Sequence, residues 1–240
     1  MGCASKQNQH GFTLVEISIV MIIIGLLIGG TFGGMKLVEN MQVNRTVQDL
    51  KSIESAALTF KDTYGRLPGD MPNTAARLPN CTDAPCATGG NGNRRLDYTA
   101  WNEVISSGME KFAFWHHLQA ADLMNLAVQN TTSLEFGEGQ PEAPFGGGYR
   151  MVANDGALFV AGSTILRGAA LVTTPLSSAA IQVPATRMSP CGQVQSVDRK
   201  IDDGMPYTGL LLGWSCATAN LTAVYDPSIL GAIYYDLKGF

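Results

Sequence analysis

The cysteines are the side chains of this sequence with the richest chemistry. The chain has five, and four of them follow residue 80: Cys81, Cys86, Cys191 and Cys216. Four cysteines permit three disulfide pairings, and we prefer the local solution, Cys81 with Cys86 and Cys191 with Cys216. Zinc binding is the competing interpretation, although the repeated two-residue gaps of a zinc ribbon are absent. Disulfides would place this part of the chain in an oxidising compartment outside the cytoplasm.

A group of acidic side chains could bind a metal ion. Asp198, Asp202 and Asp203 lie next to Gly204, and calcium favours oxygen-rich loops of this kind. The strict spacing of an EF-hand is absent, and the same residues could instead form a helix C-terminus and a turn. The expectation is therefore either a calcium site here or no cofactor.

Two other groups fit metal binding less well. Asn91 and Asn93 offer oxygens together with Asp97, but two arginines intervene. His116 and His117 are adjacent, so on a helix their side chains point about 100° apart and cannot easily bind one ion. We expect these histidines to be polar residues of the surface or the core.

One carboxylate stands in a segment that is otherwise apolar. Glu16 lies near the start of a run from Phe12 to Phe32 that would cover a helix with hydrophobic side chains on every side. Leaving a charge in hydrocarbon costs about 3 kcal/mol or more. A buried carboxylate of this kind usually has a partner or a role, and the function of this chain depends on what that partner is.

Composition and charge narrow the possible functions. The chain has 240 residues, of which 45% are hydrophobic and 15% charged, so it is folded rather than disordered. Its net charge of −4 argues against the basic surface that nucleic-acid binding requires, and no nucleic-acid partner is expected. No Gly-x-Ser-x-Gly, phosphate-loop or dinucleotide motif occurs, so we predict that the protein is not an enzyme.

The predicted secondary structure that positions these residues follows the chain in order, and a short polar segment precedes a long helix. Residues 1–11 are mostly polar and carry one firm positive charge, Lys6. Residues 12–34 are apolar and long enough to span a bilayer, and the charge in front of them predicts a cytoplasmic N-terminus. Residues 35–64 are predicted to continue as an amphipathic helix, because their apolar side chains recur every three or four positions.

Glycines recur along the apolar segment at helical intervals. Gly25, Gly29 and Gly33 are four residues apart, and this small-xxx-small spacing lets helix backbones approach closely in a membrane. The competing interpretation is that glycine is simply common in membrane helices. These glycines could also create a soft point at which the helix bends or melts on packing.

Residues 65–240 are predicted to form a head that contains helices and strands. Asn154-Asp155-Gly156 lies between two short strand-like segments and predicts a tight hairpin turn. Three further strands are expected, at 169–173, 207–216 and 232–237. Two helices are expected, at 99–124 and within 189–201. The fold class is therefore α+β, with an antiparallel sheet packed on the second half of the long helix.

The segment Gly11 to Glu16, Gly-Phe-Thr-Leu-Val-Glu, with its polar leader and the apolar helix behind it, resembles the N-terminus of type IV prepilins and type II secretion pseudopilins. In that family a membrane-embedded peptidase cuts after the glycine and methylates the new N-terminus. The resemblance implies cleavage between Gly11 and Phe12, N-methylation of Phe12, and removal of residues 1–11 as a leader peptide. His10 departs from the Lys or Arg that is more usual at this position.

The resemblance also implies a partner for Glu16. In the family this glutamate pairs with the N-terminal amine of a neighbouring subunit, and two charges that are each costly in hydrocarbon are less costly as a pair. The resemblance implies a structural subunit of the bacterial inner membrane, with its head in the periplasm, that assembles through its N-terminal helix into a type IV pilus or a type II secretion pseudopilus. Its partners would be prepilin peptidase, other pilin or pseudopilin subunits and the inner membrane.

Two alternatives to a repeating structural subunit stay open. A low-copy minor pilin would use its head to bind a surface, a secreted substrate or DNA, and the head of residues 65–240 is larger than a lean repeating subunit needs. A membrane-anchored enzyme would need a convergent polar site in the head, and the sequence shows none. Secretion pseudopili and type IV, conjugative and DNA-uptake pili share this N-terminus, so the machine is not distinguished.

Overall fold

The structure is a computed structural model that describes residues 12–82, 84–97, 106–125, 131–158, 166–175, 177, 188–217 and 224–237. The chain divides into two compact units, residues 1–41 and residues 42–240. Helix α1, Leu14–Tyr64, begins in the first unit and ends in the second. The predicted class, a long N-terminal helix followed by an α+β head with an antiparallel sheet, is confirmed.

Helix α1 is one uninterrupted helix of 51 residues. No proline lies within it, and the helix passes through all of its glycines without a break. It ends where Gly65 adopts a φ of 68° and donates its N–H to the carbonyl of Lys61 at 2.8 Å. This left-handed termination suits glycine, which has no Cβ to clash in that conformation.

The first unit exposes its apolar side chains. Every described residue from Phe12 to Met41 is solvent-exposed. Helix α1 contains a stretch near its N-terminus that is long and apolar enough to cross a membrane, and none of that stretch is buried. A helix that is apolar on all sides belongs in lipid or against other helices. Its exposure in the single chain therefore suggests membrane anchoring.

The second unit covers one stripe of α1. The buried residues recur at intervals of three or four, which keeps them on one face of the helix. They are Val43, Thr46, Leu50, Ile53, Ala56, Ala57 and Phe60. The stripe that the head covers therefore begins at Val43, whereas Met35, Leu37, Val38 and Met41 of the predicted amphipathic segment are exposed in the single chain.

Five strands of the described chain form one antiparallel sheet. They are β1 (Gly148–Leu158), β2 (Leu166–Thr174), β3 (Ser189–Pro190), β4 (Leu211–Trp214) and β5 (Leu230–Asp236). β5 pairs with β2, β3 and β4, and β1 pairs with β2. The register places Tyr235 of β5 between Leu171 of β2 and Leu211 of β4.

Alternate residues of β5 face two different hydrophobic clusters. Ile233 and Tyr235 join the large cluster that includes the buried stripe of α1, whereas Ala232 and Tyr234 join a smaller cluster. This alternation follows from the two-residue period of a strand. The face of the sheet that contains Ile233 and Tyr235 therefore packs against α1.

Hydrogen bonds fix the second half of α1 to the head at successive points. They run from Lys200 Nζ to Asn44 Oδ1, from the Tyr149 hydroxyl to Asp49 Oδ2 at 3.3 Å, and from the Tyr235 hydroxyl to Glu54 Oε2 at 2.7 Å. The three acceptors are five residues apart along the helix. Polar anchors thus accompany the apolar stripe over most of its length.

The other helices in the described part of the head are short. They are α2 (Thr74–Arg77), a 3₁₀ turn at Cys86–Thr88, α3 (Glu110–Ala120) and α4 (Cys191–Ile201). The helix expected within 189–201 is confirmed as α4. The helix expected over 99–124 is confirmed only as α3, and residues 98–105 lie outside the described part of the chain.

The predicted hairpin turn at Asn154-Asp155-Gly156 is wrong. β1 continues through these residues to Leu158 and pairs with β2, so that Asn154 lies opposite Gly168. The register shifts between Asn154 and Leu158, so this polar, glycine-containing run marks a β-bulge or irregularity in the strand rather than a reversal of the chain. The residues that join β1 to β2 lie outside the described part.

Leu50→Ala should lower the free energy of unfolding of the head by about 2–5 kcal/mol, because Leu50 is fully buried between α1 and the sheet. The measurement is denaturant unfolding of the detergent-solubilised protein, followed by tryptophan fluorescence. The matched control is Leu37→Ala in the same helix, where the side chain is 62% exposed and the change should stay within about 0.5 kcal/mol. Equal effects of the two substitutions would contradict the packing described.

Candidate functional site

The N-terminus of α1 is closed by a reciprocal set of hydrogen bonds between Thr13 and Glu16. The Thr13 backbone N–H donates to Glu16 Oε2 at 2.8 Å, and the Thr13 hydroxyl donates to the same oxygen at 2.8 Å. In return, the Glu16 backbone N–H donates to Thr13 Oγ1 at 3.3 Å. This is a capping box, in which a Thr and a Glu three residues later satisfy N–H groups that the helix leaves unpaired.

The capping box has two consequences for the role of Glu16. The carboxylate lies at the positive end of the helix dipole, which favours a negative charge there. Within the described residues Glu16 Oε1 accepts no hydrogen bond, so one oxygen caps the helix and the other is available to a second partner. The capping role of Glu16 was not predicted from the sequence, although the Thr-x-x-Glu spacing before an apolar run is its known signature.

The glycines of the apolar segment face open space in the single chain. A Cβ built on Gly25, Gly29 or Gly33 would meet no atom within 4 Å. Nothing within the described residues therefore requires glycine at these three positions. The helix is also continuous there in the single chain, and a soft point that bends or melts on packing stays a prediction. The role of these glycines in packing against another helix stays a prediction.

The four cysteines of the head form two disulfides. Cys81 is bonded to Cys86, and Cys191 to Cys216. This is the local pairing preferred from the sequence, and it removes these thiols as zinc ligands. The first disulfide closes a small loop before the 3₁₀ turn. The second joins the start of α4 to the segment after β4, so α4 and β4 lie within one covalent ring.

The two histidines are core residues rather than ligands of one ion. Both are buried in α3. His117 Nδ1 accepts the N–H of Gly69 at 2.7 Å, and its Nε2 donates to the carbonyl of Cys86 at 3.3 Å. Burial lowers the pKa of His116 and of His117 to about 4. Protonation of His117 would also turn Nδ1 into a donor that faces the Gly69 N–H, so this histidine is held neutral.

Two buried carboxylates that the sequence analysis did not single out shape the loop at 89–97. Asp70 Oδ2 accepts the N–H of Arg94 at 2.8 Å. Glu110 accepts the N–H of Asn91 at 2.9 Å and that of Asp97 at 2.7 Å. Burial raises the pKa of both Asp70 and Glu110, and the hydrogen bonds from the loop backbone oppose that rise. These carboxylates therefore act as acceptors for a loop that has no regular structure.

The weaker calcium candidate in this loop, Asn91, Asn93 and Asp97, is a set of side chains that hydrogen-bond one another. The side-chain amides of Asn91 and Asn93 donate to Asp97 at 2.9–3.0 Å. The amide oxygens of Asn91 and Asn93 in turn accept the backbone N–H groups of Asn93 and Arg95. The arrangement of Asn91, Asn93 and Asp97 serves to hold the loop.

The aspartates at the end of α4 are brought together. One carboxylate oxygen from each of Asp198, Asp202 and Asp203 lies within 4.8 Å of the other two. Asp198 is fully buried, Asp202 half-buried and Asp203 exposed. Burial raises the pKa of Asp198 to about 7, the Asp203 and Asp202 carboxylates act in the same direction, and a hydrogen bond from the Tyr225 hydroxyl opposes them.

A long N-terminal helix that exposes an apolar first half and ends in an α+β head defines a pilin-like protein. Residues 6–32 match the family described as the prokaryotic N-terminal methylation motif, which is the type IV prepilin-type signal. The match supports a type IV pilin-like precursor of the structural-subunit type. No curated protein and no solved structure matches the chain. Gly11 and the leader lie outside the described residues, whereas Phe12, Thr13 and Glu16 lie within them.

The neutral histidines predict a specific pH dependence of stability. The pKa of each histidine is lower in the folded state than in the unfolded chain. The contribution of the histidines to the free energy of unfolding is therefore complete above about pH 6.5 and is lost as the pH falls towards 4. His116→Leu removes one titrating group. Between these pH values it should reduce the slope of unfolding free energy against pH by up to about 1.4 kcal/mol per pH unit.

The measurement is denaturant unfolding of wild type and His116→Leu at several pH values. The carboxylates contribute equally to both slopes, because they are present in both proteins. The unfolding free energy of each protein at pH 8 serves as its own reference. Identical slopes would contradict a neutral, buried His116.

Proposed function

We propose that this chain is the precursor of a pilin-like structural subunit. Prepilin peptidase cuts it after Gly11, Phe12 is N-methylated, and the mature subunit assembles through its N-terminal helix into a type IV pilus or a type II secretion pseudopilus. The observation that carries the proposal is the prepilin-type signal at residues 6–32, which leads into a helix whose first half is apolar and exposed.

The proposed role of Glu16 is to pair with the Phe12 amine of a neighbouring subunit. Glu16 Oε2 is engaged in the capping box, and Oε1 is directed to no described hydrogen-bond donor. The capping donor is the N–H of Thr13 rather than that of Phe12, so the box is preserved when the bond between Gly11 and Phe12 is cut. Cleavage therefore adds a charged amine without removing the helix cap.

The proposed packing partners of α1 are the same helices of other subunits. Gly25, Gly29 and Gly33 offer small positions at four-residue intervals, with open space beside each of them. Close approach of helix backbones at such positions is a known way of packing helices in lipid. The exposed side chains between Phe12 and Met41 would be covered by this packing.

The proposed location is the bacterial inner membrane, with the N-terminus in the cytoplasm and the head in the periplasm, before incorporation into a filament. Lys6 precedes the apolar segment, and positive charge favours the cytoplasmic side. The two disulfides of the head require an oxidising compartment. Both features support the same orientation.

A low-copy minor pilin is the second candidate. The observation that favours it is a set of apolar side chains exposed on the head, Val224, Ile229 and Leu230, close to the Cys191–Cys216 disulfide in sequence. Such a subunit would use its head to bind a ligand, a surface, a secreted substrate or DNA. The number of copies of this chain per length of purified filament distinguishes a repeating from a low-copy subunit.

Processing gives the first test of the proposal. The mature protein isolated from a host that contains prepilin peptidase should begin at Phe12 and be heavier by one methyl group than the unmodified residues predict. Mass spectrometry of the N-terminal peptide makes this measurement. Replacing Gly11 by a bulky residue should leave the leader attached. A wild-type chain that still begins before Phe12 would overturn the processing step.

Incorporation into filaments gives the second test. Glu16→Gln keeps a side-chain oxygen for the capping box but removes the charge, so it should be processed normally and should enter filaments about tenfold less than wild type, because the ion pair is lost. Thr13→Ala is the matched control, since it removes the capping hydroxyl and keeps the carboxylate.

The measurement is the amount of each variant in sheared filaments relative to its amount in membranes. Thr13→Ala should be incorporated much better than Glu16→Gln. Equal loss in the two variants would show that Glu16 acts through the helix cap alone, and normal incorporation of Glu16→Gln would exclude the ion pair.

A further inference from the structure

Four arginines gather around the point where α1 ends. They form the arginine surface, which consists of Arg66, Arg77, Arg94 and Arg95. Arg66 Nη1 donates to the carbonyl of Gly92 at 2.6 Å, and Arg77 Nη2 donates to the carbonyl of Tyr64 at 3.3 Å. The other two arginines are exposed and follow Gly92 closely in the same loop. Within the described residues no ion pair joins any of the four to a carboxylate, so their charge is available to an outside partner.

The loop that carries Arg94 and Arg95 is held by two buried carboxylates. Asp70 Oδ2 accepts the N–H of Arg94 at 2.8 Å, and Glu110 accepts two further N–H groups of the loop. Arg94 has a φ of 70°, in the left-handed region that a residue with a Cβ seldom adopts. Hydrogen bonds thus order a loop without regular structure that has two exposed cations on it. Order that exists before binding lowers the entropy cost of binding.

A second surface carries the opposite charge. The segment 131–149 contains three glutamates and neither lysine nor arginine. They are Glu135, Glu138 and Glu142, which together form the glutamate loop. All three are exposed, and their carboxylates accept no hydrogen bond and form no ion pair within the described part of the chain. The Gly137 N–H donates to the carbonyl of Gln140 at 2.8 Å, which closes a tight turn between the glutamates.

The two surfaces are attached to opposite ends of the part of α1 that the head covers. Gln42 Nε2 donates to the carbonyl of Pro144 at 3.0 Å, close in sequence to Glu142. Arg77, in contrast, contacts Tyr64, the last residue of α1. A helix rises about 1.5 Å per residue, so Gln42 and Tyr64 are about 33 Å apart. The covered part of α1 therefore has a negative surface at its beginning and a positive surface at its end.

We propose that the arginine surface of one copy of this chain binds the glutamate loop of the next copy in the filament. This contact requires the proposed assembly into filaments, and it specifies which two faces of the heads meet. Guanidinium groups bind carboxylates through paired hydrogen bonds. Two different surfaces that bind each other leave one of each open, so the contact repeats from copy to copy and builds an open helical array.

The charge of the chain favours a second copy as the partner. The net charge is −4, so whole copies repel one another, and a local contact between opposite charges selects one orientation. A nucleic acid would meet the same overall repulsion, because its phosphates are negative, and would leave the glutamate loop without a partner. A second copy satisfies both surfaces at once.

Charge reversal in the full-length protein tests the contact. Arg94→Glu with Arg95→Glu should be processed normally but should enter filaments about tenfold less than wild type, because like charges then face each other. Glu138→Arg with Glu142→Arg should do the same. A chain with all four substitutions should recover to within about threefold of wild type, since opposite charges face each other again.

The measurement is the amount of each variant in sheared filaments relative to its amount in membranes. Lys51→Glu is the matched control, because it reverses an exposed cation of α1 outside both surfaces, and it should enter filaments as wild type does. Near-ultraviolet circular dichroism of each variant checks that the head is folded.

A cross-link locates the contact directly. Arg95→Lys supplies an amine that a carbodiimide couples to a carboxylate in contact with it. Mass spectrometry of treated filaments should find position 95 joined to Glu135, Glu138 or Glu142. The same treatment of the detergent-solubilised chain should not produce this link.

Wild-type incorporation of both reversed pairs would overturn the contact and leave the proposed function standing, and so would a folded four-substitution chain that recovers nothing. A wild-type chain that forms no filaments would overturn the proposed function and this contact with it. Binding of wild type to duplex DNA that is lost in Arg94→Glu with Arg95→Glu, while filament entry stays normal, would assign the arginine surface to a nucleic acid instead.

Discussion

The exposed apolar surface from Phe12 to Met41 determines the environments in which this chain is stable. Such a surface must lie in lipid or against other helices, and in either place an unpaired polar group costs several kcal/mol. Thr13 and Glu16 satisfy part of this requirement within the chain, because they close the first turn of α1 with their own hydrogen bonds. What the capping box leaves open is the charge of Glu16, beside which the residues that the structure describes place no cation.

In the head, buried polar and charged side chains are compensated by backbone hydrogen bonds from other segments rather than by a helix cap. Asp70 and Glu110 are surrounded by backbone N–H groups of an irregular loop, and His117 is held neutral between a backbone donor and a backbone acceptor. In each case the buried side chain hydrogen-bonds the backbone of a loop or, for one bond of His117, of a short 3₁₀ turn. Asp198 likewise receives hydrogen bonds, one of them from the Tyr225 hydroxyl at 2.9 Å.

The features that could be predicted from the sequence are those carried by local pattern. The uninterrupted apolar and amphipathic run predicts α1, and the short separation of the cysteines within each pair favours the pairing that the structure contains. The hairpin at Asn154-Asp155-Gly156 was predicted wrongly because a strong turn motif can also sit in a bulged strand, and only the pairing of Asn154 with Gly168 decides between them. The partners of Asp70 and Glu110 were beyond prediction, since they come from residues far away in sequence.

The attachments of α1 to the head have a mechanical consequence. Asn44, Asp49 and Glu54 are bonded to α4, β1 and β5 at regular steps along one helix, beside a continuous apolar stripe. A pull along the axis of this helix would load all of these contacts at once, in shear, rather than peel them apart one after another. Shear loading divides the force among many bonds, so the subunit should withstand tension far better than a thermal measurement of its stability would suggest.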